Sequence, residues 1–299
     1  IPNTDCALGV AVNQKILEII LQFMENNHIS AYDEEKHKGL VRHVLIRYGF
    51  KTDEIMVSLV INGEKLPHAE KLVDKLRKIS GMTSITISVN KAKTNVIMGN
   101  EIKLLWGQTY ITDYIGNVKY QISPLSFYQV NPVQTEKLYG LALDYADLNG
   151  NETVWDLYCG IGTIGMIASK YAKEVIGVEL NREAVKDAIG NAKGNGVKNI
   201  RFYQADAGEF MVAMAERGES MDVVFMDPPR AGSAEAFLQS VARLAPKKIV
   251  YISCNPETMA RDLKYLTKKK YEVSKICPVD MFPFTEHVEC IVSMVRKEK

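Results

Sequence analysis

The sequence predicts an α/β protein: a mostly parallel sheet with an antiparallel C-terminal strand, preceded by a smaller α+β domain. Three observations carry this expectation. From about residue 152, short apolar strands alternate with helical segments, the pattern of βαβ units whose sheet is covered on both faces. The last two strands lack a helix-length connection, because 278–287 is short and holds Pro278 and Pro283, so they form an antiparallel hairpin. Before residue 124, amphipathic helices mix with period-2 runs without that alternation. The expected boundaries are 1–123 for the first domain and 124–299 for the second.

In chain order, 11–26 and 67–80 space their apolar residues as helices, the latter opening on Pro67 and repeating Leu72, Val73, Leu76 and Ile79. Period-2 strands are expected at 40–48, 55–61, 84–89, 102–106, 109–115 and 118–122, and a helix begins near Pro132. The second domain then reads as strands 153–157, 174–180, 199–205, 221–226, 248–253, 271–277 and 288–295. Helices are expected near 163–172, 182–194, 208–217, 233–244 and 256–268.

With 299 residues, 46% of them apolar, the chain has material for two ordinary cores. Its 37 basic and 36 acidic residues leave a formal charge of +1, so no global polycation holds nucleic acid, and any such binding must come from a local face. Apolar stretches are strand-sized, which argues against a membrane span. Five cysteines without paired spacing, and no leader pattern, point to a reducing, cytoplasmic setting. Starting at Ile1, the chain reads as a fragment or a processed product.

The densest motif is Asp156-Leu157-Tyr158-Cys159-Gly160-Ile161-Gly162-Thr163-Ile164-Gly165, followed by Glu179 at the next strand's end. Glycines after a strand let a ligand approach the backbone, and the carboxylate suits the hydroxyls of a ribose. A nicotinamide dehydrogenase and a methyltransferase both fit this much. Asp156, ahead of the glycines, would repel a pyrophosphate but suits a sulfonium or ammonium. Two further strand ends, Asp227-Pro228-Pro229-Arg230 and Ser253-Cys254-Asn255-Pro256, should converge on the loop, and a dehydrogenase needs neither.

Cys254 follows an apolar strand and precedes Asn-Pro, which places it near a helix start, where a thiolate is favoured. A cysteine nucleophile answers what methylation of a pyrimidine carbon requires. A thiolate adds to carbon 6, the resulting enolate takes the methyl group, and a base removes the proton on carbon 5. For the base, 280–290 offers Asp280, Glu286 and Glu289, and spacing does not choose among them. His287 reads first as a satisfied core histidine, with a base and a substrate contact as the competing readings; Cys159, Cys277 and Cys290 read as packing residues, with Cys159 lining the cofactor loop.

These residues, together with Ser126-Phe127-Tyr128-Gln129-Val130-Asn131 and the closing Phe282-Pro283-Phe284-Thr285-Glu286-His287-Val288-Glu289, resemble the RNA (uracil-5-)-methyltransferase family, whose members act on 23S ribosomal RNA and on the tRNA T-loop. The resemblance spans about residues 120–299. It implies a class I, Rossmann-like methyltransferase sheet, S-adenosyl-L-methionine as cofactor, and an RNA partner, ribosomal in preference to transfer RNA; no membrane is expected and no protein partner is inferred. By position it makes Cys254 the nucleophile and Glu289 the base, Glu286 falling out of alignment. Gln129, Tyr158, Glu179, Asp206 and Asp227 become cofactor contacts, Asp206 at the adenine end. Phe127 matches an aromatic beside the target base, with a core Phe as the competing reading. No metal site is implied within this chain, but Cys6 resembles the fourth cysteine of a [4Fe–4S] site whose other ligands would lie upstream. The competing functions are a NAD-dependent oxidoreductase on the same glycine loop, a cytosine-5 RNA methyltransferase, an amino-methyltransferase using Asp-Pro-Pro, and a non-catalytic RNA-binding protein.

Overall fold

The computed structural model describes residues 9–297, so Cys6 lies outside the described residues. The contacts divide the chain into two compact units. The first runs to Tyr114 and includes Gln121–Leu125; the second comprises Ile115–Tyr120 and the chain from Ser126 onward. The division falls inside a hairpin of β5 (Ile111–Ile115) and β6 (Val118–Ile122).

The first unit has a four-stranded sheet in the order β1 (Val41–Tyr48), β2 (Ile55–Ile61), β3 (Met82–Val89), β4 (Glu101–Gly107). Strands β2 and β3 are parallel and the outer pairs antiparallel. Helices α1 (Val12–Asn26) and α2 (Ala69–Leu76) cover one face. Their buried residues recur at helical spacing, Ile16, Ile20 and Phe23 on one and Leu72 and Leu76 on the other, and join Val57, Leu59 and Ile85 in one core. Helix α2 is shorter than the 67–80 expectation, with Ile79 packing into the same core from a following turn.

The second unit opens with α3 (Pro132–Ala146), started by Pro132 and by Asn131, whose side chain accepts the Gln134 N–H. Its seven-stranded sheet has the order β12 (Tyr271–Val279), β13 (Glu289–Arg296), β11 (Lys248–Ser253), β10 (Val223–Met226), β7 (Thr153–Leu157), β8 (Glu174–Glu179), β9 (Ile200–Gln204). Helices α4 (Thr163–Ala168), α5 (Arg182–Gly194), α6 (Ala207–Arg217), α7 (Glu235–Leu244) and α8 (Pro256–Thr267) fill the connections. Every residue of β10 is buried, as a central strand covered on both faces requires. Helix α4 stops short of the expected residue 172; the Ser169 hydroxyl donates to the Met166 carbonyl and competes with the helical ladder.

The winding sets up the site. The chain leaves β7 for β8 and β9, then returns to β10 on the other side of β7, so its direction reverses between β7 and β10. A crevice opens beyond the carboxyl ends of strands at such a point. The C-terminal hairpin inserts β13 between β11 and β12, antiparallel to both, which brings the start of β13 to that same edge. No helix among the described residues is long and apolar enough to cross a membrane.

Candidate active site

The glycine loop is held from several sides. After β7, Tyr158 adopts φ +68°, a left-handed conformation uncommon for a side chain this large, and turns the backbone. The Cys159 N–H donates to the Val178 carbonyl, and the Gly160 N–H to Glu179 Oε2 at 3.0 Å. Glu179 Oε1 accepts from the Asn181 N–H, so the strand-end carboxylate ties two loops together. Gly162, at φ +83°, starts α4, and a Cβ there would stand 2.8 Å from the Phe202 ring. Asp156 is buried and its Oδ2 accepts the Gly165 N–H at 2.8 Å. The Tyr120 hydroxyl donates to the Thr163 carbonyl, and the Tyr139 hydroxyl lies 3.3 Å from Thr163 Oγ1.

A cavity beside this loop is lined by Phe127, Gln129, Tyr139, Asp156, Tyr158, Cys159, Thr163 and Asp227, among others. It therefore brings together Phe127 with three of the expected cofactor residues, Gln129, Tyr158 and Asp227. Glu179 reaches it through the Gly160 amide. Asp206 is not in the lining: it is exposed and caps α6, its Oδ1 accepting the Gly208 and Glu209 N–H groups at 2.8 and 3.0 Å. It follows Ala205, whose N–H donates to the Glu179 carbonyl, so it stands next to the Glu179 strand end. Phe127 is 70% exposed, which removes the core reading of that residue.

The electrostatics of this cavity call for a cation. Burial pushes Asp156 up to about 7, and burial with the nearby Glu289 and Asp156 charges pushes Asp227 up to about 8. A ligand bearing a sulfonium and an ammonium supplies the missing positive charge, so these residues fit S-adenosylmethionine. They do not fit a pyrophosphate, which would add negative charge and find the Gly165 amide already taken by Asp156.

Cys254 and Glu289 meet through strand register. Ser253 of β11 pairs with Cys290 of β13, so continuing the antiparallel ladder by one residue sets Cys254 opposite Glu289. Asn255 caps α8, its Oδ1 accepting the Glu257 N–H at 3.1 Å, so Cys254 does stand at a helix start. Its thiol is nevertheless raised, by burial first and then by the Glu289 charge, against the lowering effect of Arg230, whose guanidinium donates to the sulfur. Glu289 is 4% exposed and burial lifts it to about 7, with Arg230 again opposing.

Arg230 is the residue to which sequence reasoning assigned no role, although its motif was in view. Its segment is clamped by α8. Asn255 Nδ2 and Thr258 Oγ1 donate to the Arg230 carbonyl, and Arg261 Nη2 donates to the Ala231 and Ser233 carbonyls. Asp262, with 0% exposure, accepts the Ser233 N–H and the Tyr251 hydroxyl, both at 2.7 Å. Two expectations need correction or refinement around 280–290. His287 is exposed, not a core residue, because 282–287 forms a turn closed by its own hydrogen bonds, from the Thr285 N–H and hydroxyl to the Phe282 carbonyl and from the His287 N–H to Thr285 Oγ1. Glu286 is exposed in that turn and Asp280 is exposed before it, leaving Glu289 as the buried acid. Cys159 and Cys290 are buried, the latter in the main core, and Cys277 is half-buried.

A reversing seven-stranded sheet, a glycine loop with a strand-end glutamate, and acidic residues facing the cavity together define a class I, Rossmann-like methyltransferase fold. The comparisons agree. The family model for tRNA (uracil-5-)-methyltransferase matches residues 18–297. An uncharacterized RNA methyltransferase of Clostridium tetani is 48% identical over 94% of this chain and 61% of its own length, and one of Halalkalibacterium halodurans is 46% identical over 98% and 64%. Among solved structures, the Pyrococcus abyssi tRNA (uracil-54, C5)-methyltransferase in complex with S-adenosyl-L-homocysteine shares a TM-score of 0.82 and 32% identity, over 99% of this chain and 70% of that one. The chain belongs to the tRNA (uracil-5-)-methyltransferase family. It spans less than two thirds of the curated relatives it matches.

Proposed function

We propose that the protein transfers a methyl group from S-adenosyl-L-methionine to carbon 5 of a uracil in RNA, with 23S ribosomal RNA as the substrate. The observation that carries this reading is the register that sets Cys254 against Glu289 beside the Asp227 end of the cofactor cavity. When bound, the cofactor supplies an electrophilic methyl on a sulfonium. Asp156 and Asp227 would hold its positive charge, Glu179 would take the ribose hydroxyls, Gln129 and Tyr158 would line its cavity, and Asp206 would meet the adenine end.

The chain's own residues supply the rest. The Cys254 thiolate forms a bond to carbon 6, and the electron pair of the carbon 5–carbon 6 double bond moves toward the carbonyl at carbon 4. The enolate carbon 5 would take the methyl group as the sulfonium carbon–sulfur bond breaks, the sulfur leaving as a neutral thioether. Glu289 then removes the proton on carbon 5, the double bond re-forms, and the sulfur leaves as thiolate. Arg230 stabilises the thiolate before attack and after release. Phe127, exposed at the cavity rim, packs near the target base.

The ribosomal preference rests on the Cys6 segment, which lies outside the described residues, and the solved relative acts on a tRNA. Mapping 5-methyluridine in RNA from cells lacking the full-length protein tests both levels. Loss of a 23S rRNA site is expected. Loss from tRNA alone would keep the chemistry and overturn the substrate, and no loss of 5-methyluridine would overturn the function.

A further inference from the structure

Resting on that function, we infer that Phe284 is a second RNA contact, an aromatic platform on which a nucleotide next to the target uracil stacks. Two unfavourable features coincide at this residue. Its side chain is 96% exposed, and its backbone sits at φ +66°, a left-handed conformation that a bulky residue rarely adopts. Packing explains neither. The turn is stabilised by Thr285, whose N–H and hydroxyl both reach the Phe282 carbonyl, so the aromatic ring is not needed to close it.

The two ends of its segment belong to the site. At one end, the Met281 carbonyl accepts from Asn131 Nδ2 at 3.2 Å, and Asn131 follows Phe127 and Gln129 in the same short stretch. Met281 itself has 0% exposure and anchors the turn. At the other end, Glu289 stands against Cys254. Phe284 therefore projects from a short, anchored segment strung between the Phe127 stretch and the proposed base. Single-stranded RNA presents unstacked bases, and exposed aromatic rings bind them without needing a sequence-specific hydrogen bond. Extracting a uracil unstacks its neighbour, which a ring on this segment can take up.

The test uses the full-length enzyme and total RNA from cells lacking it, with methyl incorporation from labelled S-adenosylmethionine as readout. Phe284→Ala should raise the RNA KM about tenfold or more, as loss of one base stack predicts, with S-adenosylhomocysteine affinity unchanged. Phe284→Trp and Phe284→Tyr should keep the wild-type KM, and Phe284→Leu should match the Ala variant. Phe284→Gly relieves the backbone conformation, so it should raise Tm while carrying the same KM defect. An unchanged KM in Phe284→Ala, or full activity in Phe284→Leu, overturns the platform. If the wild-type enzyme labels no uracil, the function itself fails. The platform is then decided by fluorescence: RNA-dependent quenching of Phe284→Trp beyond that of the wild type supports it, and its absence refutes it.

Discussion

Cys254 follows the last residue of β11 and Glu289 opens β13, each one step beyond the Ser253–Cys290 rung of that antiparallel pair, and the Glu289 charge acts on the thiol. Burial and then the Glu289 charge raise the Cys254 thiol, burial raises Glu289, and Arg230 opposes both shifts.

That three-way balance makes thiol reactivity a direct readout. Glu289→Gln removes the repulsion, so alkylation of Cys254 by iodoacetamide at pH 8 should become severalfold faster. Arg230→Ala removes the opposing cation and should slow it severalfold. Peptide mapping separates Cys254 from the half-buried Cys277. Equal rates in all three proteins would show that the side chains do not sense one another.

Much of the fold was readable in advance because the signals are local. The strands β7, β8, β10 and β11 are short apolar runs separated by helical periodicity, and the Pro-containing link before β13 marked the antiparallel hairpin. What could not be read is which hairpin strand takes the inner place beside β11, since both are apolar enough to pair. Glu289 depends on that choice. Its pairing with Cys254 joins strands distant in sequence, so only the resemblance, not spacing, separated it from Glu286. His287 and Phe127 sit in irregular segments, where no periodicity says whether a ring faces the core or solvent.

Cofactor binding should depend on pH through the buried carboxylates. Without ligand, Asp156 titrates at about 7 and Asp227 at about 8. A cationic ligand is held by their ionised forms, so binding expels protons and affinity should rise as pH climbs from 6 to 9. Calorimetry in two buffers of different ionisation enthalpy should show proton release near pH 7. Proton uptake, or pH-independent affinity, would contradict the assignment.

The same groups act on stability with the opposite preference. A carboxyl raised above its unfolded value favours the folded state while protonated, and that contribution is lost as pH rises through the folded value, here about 8 for Asp227. Ligand-free Asp227→Asn should therefore melt above the wild type at pH 9. The gap should shrink toward pH 4, where the unfolded chain also begins to hold the proton. The variant should at the same time lose S-adenosylmethionine binding. A lower Tm at pH 9 would show that Asp227 is satisfied by partners in the folded protein.

Glu179 and Asp262 separate binding from architecture. Glu179→Ala should weaken S-adenosylhomocysteine binding by about 1.5–3 kcal/mol, the value of a hydrogen bond to a charged group, and should not create affinity for NAD. Asp262→Ala strands the Ser233 N–H and the Tyr251 hydroxyl, each costing about 1–3 kcal/mol when buried without an acceptor. It should lower stability accordingly and slow Cys254 alkylation, because the Arg230 segment loses its clamp. Denaturant titration and the alkylation assay check both halves.

The order of events at Cys254 and Glu289 gives the most direct test of mechanism. In the proposed route, addition of sulfur to carbon 6 precedes methyl transfer, and proton removal follows it. Cys254→Ala should abolish turnover while leaving S-adenosylhomocysteine affinity nearly intact, since the thiol does not line the cofactor cavity. In Glu289→Gln the thiolate still adds and carbon 5 still takes the methyl, but carbon 5 then carries both a methyl group and a proton. Without a base that proton stays, the double bond cannot re-form, and the sulfur cannot leave. The full-length Glu289→Gln enzyme should accumulate a protein–RNA complex that survives denaturing electrophoresis, and the Cys254→Ala/Glu289→Gln protein should form none. Turnover retained in Cys254→Ala would refute the covalent route. Trapping by Glu286→Gln in place of Glu289→Gln would keep that route and move the base to a residue that stands exposed in the turn.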